Sequence, residues 1–187
     1  MQLGAPAPSV APGPVSTSVE KLSRPLYTPE QKLRRDQSAW TLVQGILAPL
    51  QFLVFLTSLA LVLRYLFTGE GLLWATGSVV LKTAVLYLIM VTGCIWEKAV
   101  FGVYLFAEAF YWEDVFSMLV LALHTAYLGC LVLDWLSPKQ QMALALAAYG
   151  AYVINATQFL LKLRAARLQD QARRPTQAHG LPSGVSA

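Results

Sequence analysis

Four stretches of the chain, about Leu42 to Tyr65, Leu72 to Ile95, Val115 to Leu133 and Met142 to Leu161, are nearly unbroken runs of apolar side chains. A spanning helix needs about 20 such residues, and each run meets that length. Helices on the surface of a soluble protein keep one polar face, whereas these runs are apolar nearly all round, as lipid-facing helices are. The predicted fold class is all-α: an integral membrane four-helix bundle over residues 25–168. Polar links at Gly69-Glu70-Gly71, near Lys98 and at Ser137-Pro138 separate the runs, so the helices alternate in direction. Ahead of them, Thr28-Pro29-Glu30-Gln31 has threonine at a cap, proline at the first helical position and Gln31 closing a capping box. It predicts a short helix at the membrane entrance. Residues 1–24 and 169–187 are biased to Pro, Ala, Ser and Gly and predict disordered tails.

Composition supports the same class. Of 187 residues, 56% are hydrophobic and 13% charged, about half the charge of a typical soluble domain. The net charge of +4 could suggest nucleic acid, but the basic residues gather at Lys21 to Arg35 and Lys162 to Arg174, on either side of the membrane segment. That is the positive-inside pattern. It predicts a multi-pass protein with both termini on the cytoplasmic side of the membrane and no nucleic-acid partner. The first forty residues hold no apolar core of a cleavable signal. Cys94 and Cys130 fall at opposite depths, too far apart for a disulfide.

Ionisable groups at bilayer depth cost about 2.5 to 3.5 kcal/mol on insertion scales, so each is a candidate site. Lys82 and His124 lie near mid-span, level with Gln51, and Asn155 lies nearer the cytoplasmic side. Lys82 suits a helix carbonyl and Gln51, a water, or a ligand carbonyl. His124 suits a structural hydrogen bond, a base, or an axial ligand to the metal of a tetrapyrrole. With only His179 beside it in the sequence, a zinc site is unsupported. Glu97, Glu108, Glu113 and Asp114 crowd the cytoplasmic edge, where acids also serve as plain partners of a helix N-terminus. Glu113 and His124 are eleven residues apart, nearly the same helical face about 16 Å deeper, and Ser117 and Tyr127 share that stripe. On the last helix Tyr152, Asn155 and Gln158 repeat every three residues, with Gln44 at matching depth on the first. Phosphate loops, dinucleotide fingerprints and nucleophile elbows are absent, which favours a reaction without a bound cofactor.

The runs Pro25-Leu-Tyr-Thr-Pro-Glu, Trp40-Thr-Leu-Val-Gln-Gly, Val91-Thr-Gly-Cys-Ile-Trp-Glu-Lys, Trp112-Glu-Asp-Val-Phe-Ser-Met-Leu-Val-Leu-Ala-Leu-His-Thr-Ala-Tyr and Asn155-Ala-Thr-Gln-Phe-Leu-Leu-Lys-Leu-Arg resemble the vinyl bacteriochlorophyllide hydratase family across residues 25–168. The resemblance implies a hydro-lyase that adds water to the C3-vinyl group of chlorophyllide a or bacteriochlorophyllide a, giving a 1-hydroxyethyl group in bacteriochlorophyll synthesis. Magnesium would enter only as part of the substrate. The partners implied are the pigment, membrane lipid and other enzymes of the pathway, with homo-oligomers left open. On this reading the catalytic candidates are Glu113, Asp114, Glu97 and His124. The substrate-binding candidates are His124, Lys82, Gln51, Asn155, Gln158 and Tyr152, with Arg64 as a rim arginine. A non-enzymatic chlorophyllide-binding scaffold or carrier is the alternative. A small proton-coupled exporter is disfavoured, because no acid lies mid-span.

Overall fold

The computed structural model describes residues 26–178, with side chains to Leu168 and at Gln171. Five helices follow in order: α1 Pro29–Gln37, α2 Ala39–Thr68, α3 Leu72–Phe101, α4 Tyr111–Val132 and α5 Pro138–Ala178. No strand occurs among the described residues. The last four helices are each long and apolar enough to cross a membrane, which is the predicted all-α membrane bundle.

Local chemistry sets the boundaries. Thr28 caps α1 by accepting from the Gln31 N–H at 3.2 Å, and the Gln31 side chain accepts from the Thr28 N–H at 2.9 Å, completing the predicted capping box. Ser38 then ends α1 and caps α2, its hydroxyl accepting from the Trp40 N–H. Gly69, at φ 75°, ends α2 in the left-handed conformation that glycine takes without a steric penalty.

All four spanning helices are longer than the apolar runs that announced them. An apolar run measures the thickness of lipid to be crossed; a helix continues until its backbone meets a breaker. Thus α3 runs six residues past Ile95 through Trp96-Glu97-Lys98-Ala99-Val100-Phe101 and stops at Gly102, φ 86°. The backbone of α5 likewise remains helical through residues 169–178, where a tail was expected; the Gln, Ala and Arg residues at 171–174 are good helix formers, and Pro175 comes only in the last turn. The remainder of the expected tails, 1–24 and 179–187, lies outside the described residues.

The closest pairings are α2 along α3 and α4 along α5, with α2 against α5 and α3 against α4 completing the ring. Phe55, Val62, Val79, Val120, Met142, Ala145 and Tyr149 fill its centre. Ala145 and Ala148 are buried on α5 and let its backbone approach its neighbours, the packing device available where lipid supplies no hydrophobic drive. Only 22–28% of each apolar window is buried inside the molecule, so most of that surface faces outward to lipid. The short α1 lies against α3 and marks one end of the bundle.

Candidate functional site

At the α1 end the ring of helices does not close. A cavity of 940 Å³ enters there and runs down between α2, α3, α4 and α5, near the upper end of the range for small-molecule sites. Its walls are mostly apolar. Gly45, Ala48 and Pro49 keep the α2 side shallow, and a Cβ added at Gly45 would meet nothing within 4 Å. Proline inside α2 also removes one backbone hydrogen bond, which is tolerated in a spanning helix where neighbouring groups can compensate.

An aromatic cluster frames the mouth. Tyr27, Trp96, Phe101, Phe110 and Phe159 meet ring against ring, with centroid separations of 5.8 Å for Tyr27–Phe101, Trp96–Phe110 and Phe110–Phe159. The Arg35 guanidinium lies 4.8 Å over the Tyr27 ring, and Arg35 and Arg167 both reach the cavity. Burial raises the Tyr27 phenol above its ordinary pKa while the nearby Arg35 works in the opposite direction, so Tyr27 is a neutral hydroxyl at the rim.

Two carboxyl groups face this space. Glu97 and Asp114, 5% and 6% exposed, lie within hydrogen-bonding reach of one another on the cavity wall. The loop between α3 and α4 supplies their remaining contacts. The Phe106 N–H donates to Asp114 Oδ2 at 2.8 Å, and the Ala107 N–H donates to Glu97. Glu97 Oε2 has no partner. To aim that N–H the loop places Phe106 at φ 60°, a left-handed conformation costing a non-glycine residue about 1–2 kcal/mol. Strain of this kind persists where surrounding contacts hold it, and it clusters at functional sites.

The adjacent acid has a different fate. Glu113 turns toward α5 and pairs with Lys162 at 2.5 Å, away from the cavity lining. Glu108 is exposed. Of the remaining candidates, Gln51, Tyr152 and Asn155 line the cavity, the last donating to Ser117 Oγ at 2.8 Å. Gln44 is also there, its amide donating to Thr92 Oγ1 at 2.7 Å. Gln158 is partly buried outside the lining, with Oε1 unpartnered.

Lys82 and His124 are fully buried and belong to the closed half beyond the cavity. Lys82 Nζ sits 4.0 Å from the centre of the Tyr152 ring. His124 Nδ1 donates to the Val120 carbonyl at 2.8 Å, which leaves Nε2 as a bare acceptor without a partner. The predicted stripe on α4 is real in that Glu113, Ser117, His124 and Tyr127 are all buried, but only Ser117 touches the cavity. Arg64 stands at the far end of α2, 4.0 Å from Glu70. No group of three His, Cys, Asp or Glu side chains suited to a metal ion occurs among the described residues.

Sequence reasoning overlooked the rim residues Tyr27 and Arg35 and the two loop N–H groups. The capping box at Thr28 was a usable signal for the rim, since it fixes where α1 begins and so where Tyr27 falls. The loop geometry left no residue pattern to read.

The family described as 2-vinyl bacteriochlorophyllide hydratase matches residues 27–165. The chain is 64% identical over 157 residues to the 2-vinyl bacteriochlorophyllide hydratase of Cereibacter sphaeroides, covering 83% of this chain and 97% of that protein. It is 65% identical over 144 residues to the protein of the same name from Rhodobacter capsulatus, 77% of this chain and 84% of that one. No solved structure matches it. The match runs from Tyr27 at the rim through both cavity carboxyls to Leu163 on the far wall, and the chain belongs to the 2-vinyl bacteriochlorophyllide hydratase family.

Proposed function

We propose that the chain adds water to the vinyl group at the C3 position of chlorophyllide a or bacteriochlorophyllide a, with Glu97 and Asp114 as its acid–base pair and no bound cofactor. The observation behind this reading is the buried carboxyl pair on the wall of an otherwise apolar, membrane-embedded cavity. A flat macrocycle suits the apolar walls. Its propionate, carried on the ring next to the vinyl-bearing one, suits the Arg35 and Arg167 rim.

In the proposed reaction a carboxylic acid delivers its proton to the terminal vinyl carbon; the vinyl π pair forms the new C–H bond. The cation left on the inner carbon is delocalised into the macrocycle. Water attacks that carbon, and its surplus proton passes to the carboxylate, so one water is gained and the pair returns to its starting state. Two carboxyl groups in hydrogen-bonding contact hold the proton this cycle needs. Glu97, with a free oxygen, is the donor; Asp114, fixed by Phe106, orients the water. Positioning and acid–base transfer together are worth several orders of magnitude in rate. Glu113 serves by holding Lys162 beside Phe110 rather than by touching substrate.

Orientation follows from charge. The described basic residues Lys32, Arg34, Arg35, Lys98, Lys162, Arg164 and Arg167 gather at the α1 end, against Arg64 and Lys139 at the other. The cavity mouth then opens to the cytoplasmic face of the bacterial inner membrane.

The test incubates the detergent-purified chain with a 3-vinyl chlorophyllide in isotopically labelled water without added cofactor. Mass and absorption spectra should show the gain of one labelled water and the loss of vinyl conjugation. Tight binding without conversion would instead make it a pigment carrier.

A further inference from the structure

The floor of the cavity is as specific as its acid wall. Gln51 and Tyr152 are 4% and 8% exposed, both line the cavity, and neither side chain has a hydrogen-bond partner in the protein. An amide and a phenol left unpaired in a bilayer core cost free energy unless a ligand pairs with them. Lys82 Nζ, which does not line the cavity, lies 4.0 Å from the centre of the Tyr152 ring and packs against it. Phe55, 4.9 Å from the same ring, helps hold it in place.

The distance from floor to acids can be read from the helix register. Trp96 Nε1 donates to Thr41 Oγ1 at 3.0 Å, which puts Glu97 beside the first turn of α2. Gln51 is ten residues further along α2, about 15 Å deeper. A chlorin seated with its vinyl group at Glu97 and Asp114 therefore brings the opposite ring to Gln51 and Tyr152. That opposite edge carries the isocyclic ring and its ketone, a strong acceptor conjugated with the macrocycle.

We infer that Gln51 and Tyr152 form a ketone-binding subsite, which donates hydrogen bonds to the carbonyl on the isocyclic ring and so aims the vinyl group at the carboxyl pair. The inference rests on the proposed hydratase reading. It adds a second specificity determinant to that reading: the enzyme selects vinyl pigments that carry a carbonyl on the ring opposite. Lys82 acts through Tyr152 as a positioning residue.

The experiment uses the full chain in detergent with two probes, a 3-vinyl chlorophyllide and its analogue in which the ketone is reduced to a methylene. Resonance Raman spectra of the bound ketone pigment should show its carbonyl stretch lowered relative to the same pigment in a solvent that donates no hydrogen bond. Gln51→Leu and Tyr152→Phe should each move the stretch back toward the free value. Each should also raise KM for the ketone pigment about tenfold, the worth of one net hydrogen bond, while leaving KM for the methylene analogue unchanged. Lys82→Met should give a smaller shift in the same direction. An unshifted ketone in a tightly bound wild-type complex, or equal losses for both pigments in the variants, overturns the subsite but leaves the hydratase reading standing. A wild-type chain that binds neither pigment overturns both.

Discussion

The two halves of the bundle set their buried polar groups in different surroundings. At the α1 end, carboxyls, amides and a phenol belong to residues that line a cavity, and Glu97 Oε2 and Asn155 Oδ1 have no partner in the protein. The other half combines satisfied and unsatisfied groups in closed packing: Ser58 bonds Ser78 at 2.7 Å and Tyr149 at 2.5 Å, and Thr83 bonds the Val79 carbonyl at 2.8 Å, while Lys82 Nζ, His124 Nε2 and the Tyr127 hydroxyl have no partner. The lesson is that burial alone does not mark a site in a membrane protein. What separates the halves is whether the polar atoms face space that a ligand can occupy.

Neutralising the carboxyl pair of the open half should have the largest effect. Asp114→Asn or Glu97→Gln should lower the rate of water addition by about 10²- to 10⁴-fold, the range for a lost general acid or base, with pigment binding preserved in an absorption titration. Loss of binding together with rate would mean that the pair holds the fold rather than the chemistry. Filling the cavity comes next. Gly45→Trp introduces an indole where a Cβ meets nothing within 4 Å, so the chain should fold and KM for the pigment should rise at least about tenfold, comparable to one lost net hydrogen bond.

The adjacent acids allow a finer test. Glu113→Gln removes the ion pair with Lys162, whose side chain is 27% exposed. Glu113 is itself only 8% exposed, so losing the pair should lower stability in detergent, but Lys162 keeps access to water and Glu113 lies outside the cavity lining, so turnover should fall less than about fivefold, against the far larger loss at Asp114. An equal loss at both positions, measured in the same assay, would erase the distinction between them. In the closed half, Tyr149→Phe takes the bond from Ser58 and should cost about 1–2 kcal/mol of stability. A lowered melting temperature in detergent with unchanged kcat is the expected result.

Much of this was legible in the sequence, and the reasons differ by level. The four spans follow from the length of the apolar runs, because lipid sets that length and tolerates little else. The capping box at Thr28 and Gln31 was readable because it is a local arrangement of residues three apart in the chain. The candidate acids were readable as a group, since four carboxylates at one membrane edge stand out from the surrounding apolar sequence. Their division was not. Glu113 and Asp114 are neighbours on one helical turn, and a rotation of 100° sends one to Lys162 and the other to Glu97. That rotation is fixed by the packing of α4 on α5, which no local pattern encodes. His124 shows the same gap: it is buried with the other stripe residues of α4, but only tertiary packing decides that the cavity stops short of it.

The loop between α3 and α4 offers the smallest and most discriminating test. Phe106 is held at φ 60° while its N–H bonds Asp114 Oδ2 at 2.8 Å, and its ring, 43% exposed, rests against Tyr111 with centroids 5.6 Å apart. If the site needs the N–H and not the ring, Phe106→Asn should be close to silent in turnover, because asparagine keeps the donor and accepts the left-handed conformation more readily than phenylalanine. Relief of strain, of order 1 kcal/mol, should offset the lost ring contact, also of order 1 kcal/mol for an aromatic pair, so the melting temperature should move little. A drop in rate beyond about tenfold, more than one neutral hydrogen bond is worth, would show that the aromatic ring shapes the carboxyl pair directly.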